Sequence, residues 1–115
     1  MKKQFRLKKT QDFQRVIKKG NFVKNTSFVI HYISNELNKL RIGISVPKKT
    51  GVAVVRNKIK RQIKAMLQTH LINLEKIDYV IIVRHQYNIN EFYKSREALI
   101  SLLNKIGDHD FEKKN

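Results

Sequence analysis

The sequence predicts an α+β fold in which helices pack over a small mixed sheet, and two periodicities support this class. Apolar residues alternate with other residues in segments 27–33 and 40–46, which is typical of strands. Before and after these two strands, apolar residues recur every three or four positions, as in amphipathic helices. With 115 residues the chain has the length of one domain, residues 1–115. The predicted order of elements is α-β-β-α-β-α.

The first element is a short helix between Thr10, which suits an N-cap, and Gly20, which suits the C′ position. Phe13, Val16 and Ile17 form one apolar face at helical spacing. This face is expected to pack on the sheet.

The two alternating strands follow. In 27–33 one face carries Phe28, Ile30 and Tyr32, and the other carries Val29, His31 and Ile33. In 40–46 the large apolar residues face a core, while Gly43 and Ser45 face away, so that side of the sheet lacks large side chains at these positions. If the first helix lies over one edge of that side, a shallow groove with basic walls results.

Pro47 ends the second strand, and a loop leads to a long helix over 53–71. Segment 78–84 is apolar on both faces, as in a buried strand. A last helix is predicted over roughly 91–106, followed by a polar tail, 107–115, that is expected to be frayed.

The charge distribution points to a polyanionic partner. The formal net charge is +16, and nine Lys or Arg residues but no acid lie between Glu36 and Glu75. Clustered cations inside periodic segments are typical of nucleic-acid binders. The alternative is a basic surface that is merely solvated.

Segment 54–64, "VVRNKIKRQIK", concentrates this charge on one helix. It places five cations among nine residues without a carboxylate, and like charges four residues apart repel. Phosphates of a bound nucleic acid would relieve the repulsion, and Asn57 could contact a sugar or base edge. Phe13 and Tyr32 could stack on unpaired bases, although a place in the core explains Phe13 equally well.

The residues give little support to catalysis by the protein alone. Its four histidines lack metal-ligand spacing, no nucleophile or phosphate-loop motif is present, and carboxylates are missing where the cations gather. The segment "DHD" (108–110) could hold a cation only weakly. No apolar run approaches the roughly 20 residues that span a bilayer, and no secretory core follows the basic amino terminus. We therefore expect an intracellular, cytoplasmic protein that binds no membrane and no metal of its own.

Two blocks of sequence closely resemble the protein component of bacterial ribonuclease P. They are "RLKKTQDFQRVIKKG" (6–20) and "RIGISVPKKTGVAVVRNKIKRQIK" (41–64), and the resemblance extends over about residues 3–106. The second block is the more specific, with a G-[IL]-S-V-x-K-K strand and loop and then G-x-A-V-x-R-N-x-x-K-R at the start of a helix.

The resemblance implies a fold and a function. The fold would be α-β-β-β-α-β-α, ribosomal-protein-like, with an extra strand near 22–24 and a left-handed β-α-β crossover, which departs from the usual right-handed rule. The function would be that of a protein subunit: it binds ribonuclease P RNA and precursor tRNA, and the RNA removes the 5′ leader as an endonuclease. Mg²⁺ would be held mainly by the RNA, and sulfate or phosphate could occupy the basic sites.

The resemblance also implies two sets of site residues. Contacts to the catalytic RNA fall on Lys48, Lys49, Arg56, Asn57, Lys58, Lys60, Arg61 and Lys64. The groove for the single-stranded leader would include Phe13, Ile17, Lys24, Val29, His31 and Arg84. The family often has Arg at positions 58 and 64 and an aromatic residue at positions 17 and 31, so bidentate contacts and stacking are reduced here.

Two other functions stay open at this point. One is a structural RNA-binding protein, such as a ribosomal protein, which shares the charge but needs no leader groove. The other is a metal-dependent nuclease that acts without an RNA subunit.

Overall fold

The computed structural model describes the backbone of residues 3–110 and the side chains of residues 4–107. The described part of the chain contains three α-helices and four strands, which confirms the predicted α+β class. In chain order they are α1 (Thr10–Lys19), β1 (Asn21–Lys24), β2 (Phe28–Ile33), β3 (Arg41–Ser45), α2 (Ala53–Gln68), β4 (Asp78–Val83) and α3 (Phe92–Asp110). Short 3-10 helices cover Lys3–Phe5, Lys48–Thr50 and Leu71–Asn73.

The four strands form one mixed sheet in the order β1-β2-β4-β3. β2 pairs antiparallel with both β1 and β4, whereas β3 runs parallel to β4 and reaches it through α2. β1 lies where the family resemblance places an extra strand, although the residue pattern alone does not reveal it. The hand of the β3-α2-β4 crossover stays a prediction.

Helices α2 and α3 cover one face of the sheet and form the larger core with it. Phe28, Ile30 and Tyr32 are buried on this face, as their alternation predicts. α2 contributes Ile59 and Ile63 to the same cluster. The core thus fixes which side of α2 faces inward and leaves its cationic flanks outside.

Helix α1 covers part of the opposite face. Its Val16 is fully buried against Val80 of β4 and Leu7 of the preceding segment. This second, smaller cluster explains why β4 is apolar on both sides. The remainder of this face is left without a covering helix and becomes the floor of the site described below.

Several predicted boundaries differ from the structure. α1 begins at Thr10 itself, so Lys9 is the N-cap and no side chain caps the helix. Gly20 is extended, with φ −83°, so it is not a left-handed cap. It is instead required by close packing, because a Cβ there would lie 2.5 Å from the carbonyl oxygen of Tyr32.

The ends of the other helices also differ. α2 ends at Gln68 instead of 71, and a 3-10 turn follows at Leu71–Asn73. α3 continues to Asp110, beyond the predicted end at 106. Of the predicted tail, 111–115 lies outside the described residues, as do the side chains of Asp108, His109 and Asp110.

Asp78, at the start of β4, is a fully buried carboxylate that joins four segments of the chain. Arg41 of β3 binds it at two points, with Nε–Oδ1 2.9 Å and Nη2–Oδ2 2.8 Å. Arg15 of α1 also donates to Oδ2, and Asn35 of the β2–β3 loop donates to Oδ1 at 2.8 Å. Asp12 lies 3.6 Å from Arg41 as a second, partly exposed carboxylate. This network locks α1 against one end of the sheet.

The hydrogen bonds decide the protonation state of Asp78. Burial alone would raise the pKa of this carboxyl, because it disfavours the charged form. Hydrogen bonds from Arg41 and Asn35, with the charges of Arg41 and Arg15, outweigh burial and lower the pKa of Asp78 below its ordinary value. The carboxylate is therefore ionised in the folded protein at neutral pH.

We expect Asp78→Asn to lower the free energy of unfolding by about 3 kcal/mol, because it leaves two arginines without their buried counter-charge. Asp12→Asn is the matched control and should cost less than about 1 kcal/mol, since its ion pair with Arg41 is longer and partly solvated. Urea denaturation followed by circular dichroism measures both losses. Equal losses would contradict the central role given to Asp78.

The lowered pKa of Asp78 also predicts an acid-sensitive stability. The unfolded carboxyl, with an ordinary pKa of 3.8, binds a proton more tightly than the folded one. The contribution is therefore complete above this pKa and is lost as the pH falls through the lower, folded value. Unfolding free energies measured from about pH 5 to about pH 2 should fall less steeply for Asp78→Asn than for the unchanged protein.

Candidate nucleic-acid interface

The register of the sheet assembles a row of four side chains on the face that α1 covers only in part. Lys24 pairs with Val29, Val29 with Ile82, and Ile82 with Ser45, so these residues cross the sheet from β1 to β3. Lys24 is exposed and the other three are half-buried. We call this row the cleft floor.

A second row on the same face, two residues along each strand, lies closer to α1. It contains Phe22, His31, Val80 and Gly43 in the same strand order. α1 packs over this row through Val16 and Phe13. Ile17 lies one turn from Phe13 and is 38% exposed, on the flank of α1 opposite Asp12 and Arg15. The two rows and α1 together form the cleft.

Phe13 lies directly over Gly43. A Cβ at position 43 would be 2.3 Å from the Cζ atom of Phe13, so only glycine accommodates the ring at this distance. Gly43, the small residue predicted on β3, thus allows Phe13 of α1 to pack directly against the strand. Gly43 itself is buried. The side chain of Phe13 is half-buried, so part of it is accessible from the cleft.

His31 is half-buried in the second row, beside Phe22, whose ring centroid is 5.6 Å away. Burial lowers the pKa of His31, which keeps the imidazole neutral at neutral pH. Its Nδ1 atom is buried without a hydrogen-bond partner among the described residues. Phe22, which is 56% exposed, extends this aromatic surface toward the β1 edge.

Arg84 follows β4 and lies at the end of the cleft where β2 begins. Its backbone N–H bonds to the carbonyl of Ser27, and its Nη1 donates to the carbonyl of Asn25 at 3.0 Å. Asn25 in turn donates from its side chain to Ala98 of α3. Arg84 is therefore held in place beside the cleft by the β1–β2 turn.

The predicted contact residues of α2 point in three directions. Arg56, Lys60 and Lys64 recur every four residues on one flank and are half-buried, whereas the neutral Asn57 and the cation Arg61 are exposed on the outer surface. Lys58 is exposed on the other flank. Gln62 anchors the helix through bonds to the Ile89 carbonyl (3.0 Å) and the Tyr87 hydroxyl (2.7 Å). Lys48 and Lys49 are exposed in the 3-10 turn before α2.

Two of these lysines meet two further cations at the outer edge of β3. Lys60 and Lys64 line a groove of about 230 Å³ opposite Arg6 and Lys8, which belong to the segment before α1. We call it the β3-edge groove. Its remaining lining residues are Leu7, Phe13, Ile42, Gly43 and Ile44. Phe13 and Gly43 thus belong to both the groove and the cleft.

Among the described side chains, no carboxylate forms an ion pair with an α2 cation. Within residues 4–107, the ion pairs join Asp12, Asp78 and Glu91 to Arg15, Arg41 and Lys94. The same part of the chain has three buried side-chain N or O atoms without a hydrogen-bond partner: His31 Nδ1, Thr50 Oγ1 and Arg56 Nε. All three lie in segments that the sequence assigns to RNA contacts, and an external ligand is one explanation for such atoms.

Other features of the surface lie apart from these cations. A cavity of about 770 Å³ has a lining that includes Phe5, Leu40 and Leu71. Among the described residues no group of His, Asp and Glu is arranged to hold a metal ion. No helix in this part of the chain is long and apolar enough to cross a membrane.

Sequence reasoning missed Phe22, Ile82, Arg6 and Lys8. The first two join the site through strand register, which cannot be read before β1 is known. Arg6 and Lys8 stand in a visibly basic segment, but only the parallel bridge between Arg6 and Ile42 brings that segment to β3. The positive charge of this segment is the sequence feature that could have indicated its part in the site.

Comparisons with known proteins agree on one family. The sequence profile of the family described as Ribonuclease P matches residues 1–107. The Ribonuclease P protein component of Streptococcus agalactiae is 40% identical over 107 residues, which cover 93% of this chain and 98% of that protein. The component of Streptococcus pneumoniae is 44% identical over 104 residues, covering 90% and 85%.

Solved structures give the same result. The RNase P protein of Staphylococcus aureus is similar with a TM-score of 0.77 and 38% identity, covering 87% of this chain and 93% of that one. The RNase P protein of Thermotoga maritima has a TM-score of 0.77 and 30% identity, covering 88% and 96%.

We expect Gly43→Ala to lower the free energy of unfolding by about 2 kcal/mol, because the new methyl group would clash with the ring of Phe13 and displace it. Combining it with Phe13→Ala should cost less than the sum of the two changes, since the clash is then absent. Gly107→Ala is the control: its Cβ meets nothing within 4 Å in α3, so stability should hold or rise slightly. Urea denaturation midpoints measure these changes in stability. A Gly43→Ala protein as stable as the unchanged one would contradict the close packing of Phe13 on Gly43.

Proposed function

The chain belongs to the ribonuclease P protein family, and from this premise we propose that it is the protein subunit of a ribonucleoprotein that removes the 5′ leader of precursor tRNA. In this role it binds the catalytic RNA and the single-stranded leader. The RNA carries out the phosphodiester hydrolysis, and the protein positions both RNAs. The absence of cysteine suits the reducing cytoplasm, where we place this activity.

The observation that carries the proposal is a helix of unpaired cations beside a cleft with an apolar and aromatic lining. The two surfaces share the β3 edge of the sheet, so one small protein can contact two RNA segments at once. Phosphates would supply the counter-charge that the described carboxylates do not provide to α2. A generic structural RNA-binding protein would need the charge but not the cleft.

The catalytic RNA is proposed to contact the outer surface of α2 and the turn before it. Arg61 can grip a phosphate at two points, and exposed Asn57 can bond a sugar or base edge. Arg56, on the flank with Lys60 and Lys64, has a buried Nε atom without a hydrogen-bond partner among the described residues. The full proposed set is Lys48, Lys49, Arg56, Asn57, Lys58, Lys60, Arg61 and Lys64.

The leader is proposed to occupy the cleft. Phe13 and Ile17 form one wall, Val29 forms the floor, and Lys24 and Arg84 supply positive charge at the β1 side. His31 replaces the aromatic residue common at this position, and its neutral ring can stack or accept a hydrogen bond. Unpaired bases suit this surface because every base presents a stacking face.

The residues that the structure describes do not fit Mg²⁺, which prefers carboxylate and other oxygen ligands. The carboxylate of Asp78 is already bound by two arginines, and α2 carries no acid. We therefore propose that the metal ions of the assembled enzyme are held by RNA. Free sulfate or phosphate would occupy the basic sites of the isolated protein.

Reconstitution tests the proposed function. Protein added to a bacterial ribonuclease P RNA at low Mg²⁺ should accelerate cleavage of precursor tRNA and should favour precursor over mature tRNA in binding. Equal affinity for both tRNAs would support the structural RNA-binding protein instead. Cleavage by highly purified protein without RNA would establish a protein nuclease.

We expect Arg61→Ala to weaken association with the catalytic RNA about tenfold and to reduce the slope of log affinity against log salt by about one, because one phosphate contact is lost. Filter binding across a salt series measures both quantities. Lys105→Ala, on the exposed surface of α3, removes the same charge outside the interface and should change neither. An unchanged slope for Arg61→Ala would exclude this residue from the interface.

A further inference from the structure

We infer that the β3-edge groove binds a phosphate of the single-stranded leader where the leader passes beyond the cleft. This assignment rests on the proposed function and adds Arg6 and Lys8 to it. It also gives Lys60 and Lys64 a role that differs from that of the outward cations of α2.

The composition of the groove identifies the ligand as an anion. Its lining residues include four cations and no carboxylate. The cations come from opposite sides: Arg6 and Lys8 from the segment before α1, and Lys60 and Lys64 from α2. Lys60 and Lys64 are half-buried, so their aliphatic stems pack along the wall and only the ends of the side chains need enter the groove.

The open edge of β3 adds neutral donors to this charge. The carbonyl of Ile42 accepts a hydrogen bond from Leu7 at 2.9 Å, so the backbone groups of Ile42 point away from β4. Since alternate residues of a strand point the same way, the N–H and C=O of Ile44 also point to this edge. Among the described strands, β3 pairs only with β4, which leaves the Ile44 N–H available to a ligand.

Continuity with the cleft identifies the anion as part of the leader. The cleft floor ends at Ser45 of β3, next to Ile44 of the groove, and Phe13 and Gly43 line both surfaces. A strand that stacks a base on Phe13 can therefore direct its backbone over the β3 edge to Lys60 and Lys64. The concave space of about 230 Å³ suits one extended strand, whereas the exposed outer surface of α2 suits a structured RNA.

A leader-length series tests the inference with the reconstituted holoenzyme. Precursor tRNAs with leaders lengthened one nucleotide at a time should bind the unchanged protein more tightly once the leader reaches the groove. The double variant Arg6→Gln/Lys8→Gln, which leaves the proposed catalytic-RNA contacts of α2 intact, should lose that last gain, about tenfold, and its salt slope for long leaders should fall by about 0.7 for each lost contact. Its affinity for the shortest leaders should match that of the unchanged protein.

The charge-matched control is Lys76→Gln/Lys105→Gln, which removes two exposed lysines outside the cleft, the groove and α2. It should retain the full leader-length gain, and thermal melts should show that both double variants are folded. An undiminished gain in Arg6→Gln/Lys8→Gln would overturn the inference, as would an equal loss with every leader or a loss confined to catalytic-RNA binding. If the unchanged protein shows no leader-dependent affinity, the proposed function fails, and the inference fails with it.

Discussion

The buried carboxylate of Asp78 is the constraint on which the shape of the site depends. It ties α1, β3, β4 and the β2–β3 loop together at one end of the sheet. Because α1 is held at that end, it covers only part of the sheet face. The uncovered part becomes the cleft, and the position of Phe13 over Gly43 fixes its depth. Removal of this carboxylate would therefore affect the cleft as well as the stability of the fold.

The ion pairs that stabilise the fold and the cations of α2 lie in different parts of the protein. The carboxylates that pair within the described structure neutralise arginines beneath α1 or a lysine at the start of α3. Among the described residues the cations of α2 have no such partner, and buried polar atoms without partners occur at the same surfaces. Internal ion pairs and the proposed RNA contacts thus use different residues. On this proposal the scaffold can fold without RNA while its interface stays open.

Much of this fold can be predicted from the sequence, because the periodicity of apolar residues within a segment determines its secondary structure and its buried face. The faces of β2, the buried stripe of α2 and the double-sided burial of β4 all follow from periodicity. β1 does not follow, because its four residues are mostly exposed and carry no clear alternation. Asp78 appears only as the first residue of a strand, since its partners are 37 and 63 residues away in the chain. The β3-edge groove is hidden for the same reason: its two basic walls meet only through tertiary packing.

Arg84 has a consequence for the energetics of association. Its guanidinium is already bonded to the Asn25 carbonyl, and Asn25 is itself fixed by Ser27, Phe28 and Ala98. A side chain immobilised beforehand loses little rotamer entropy on binding, a cost of roughly 0.5–1.5 kcal/mol for a freely rotating one. The exposed lysines before α2 keep that freedom and must surrender it to a ligand. The surface therefore combines a preorganised contact with adaptable ones: the leader proposed for the cleft would meet a guanidinium that is already fixed, whereas the RNA proposed for α2 would have to order the lysines before that helix.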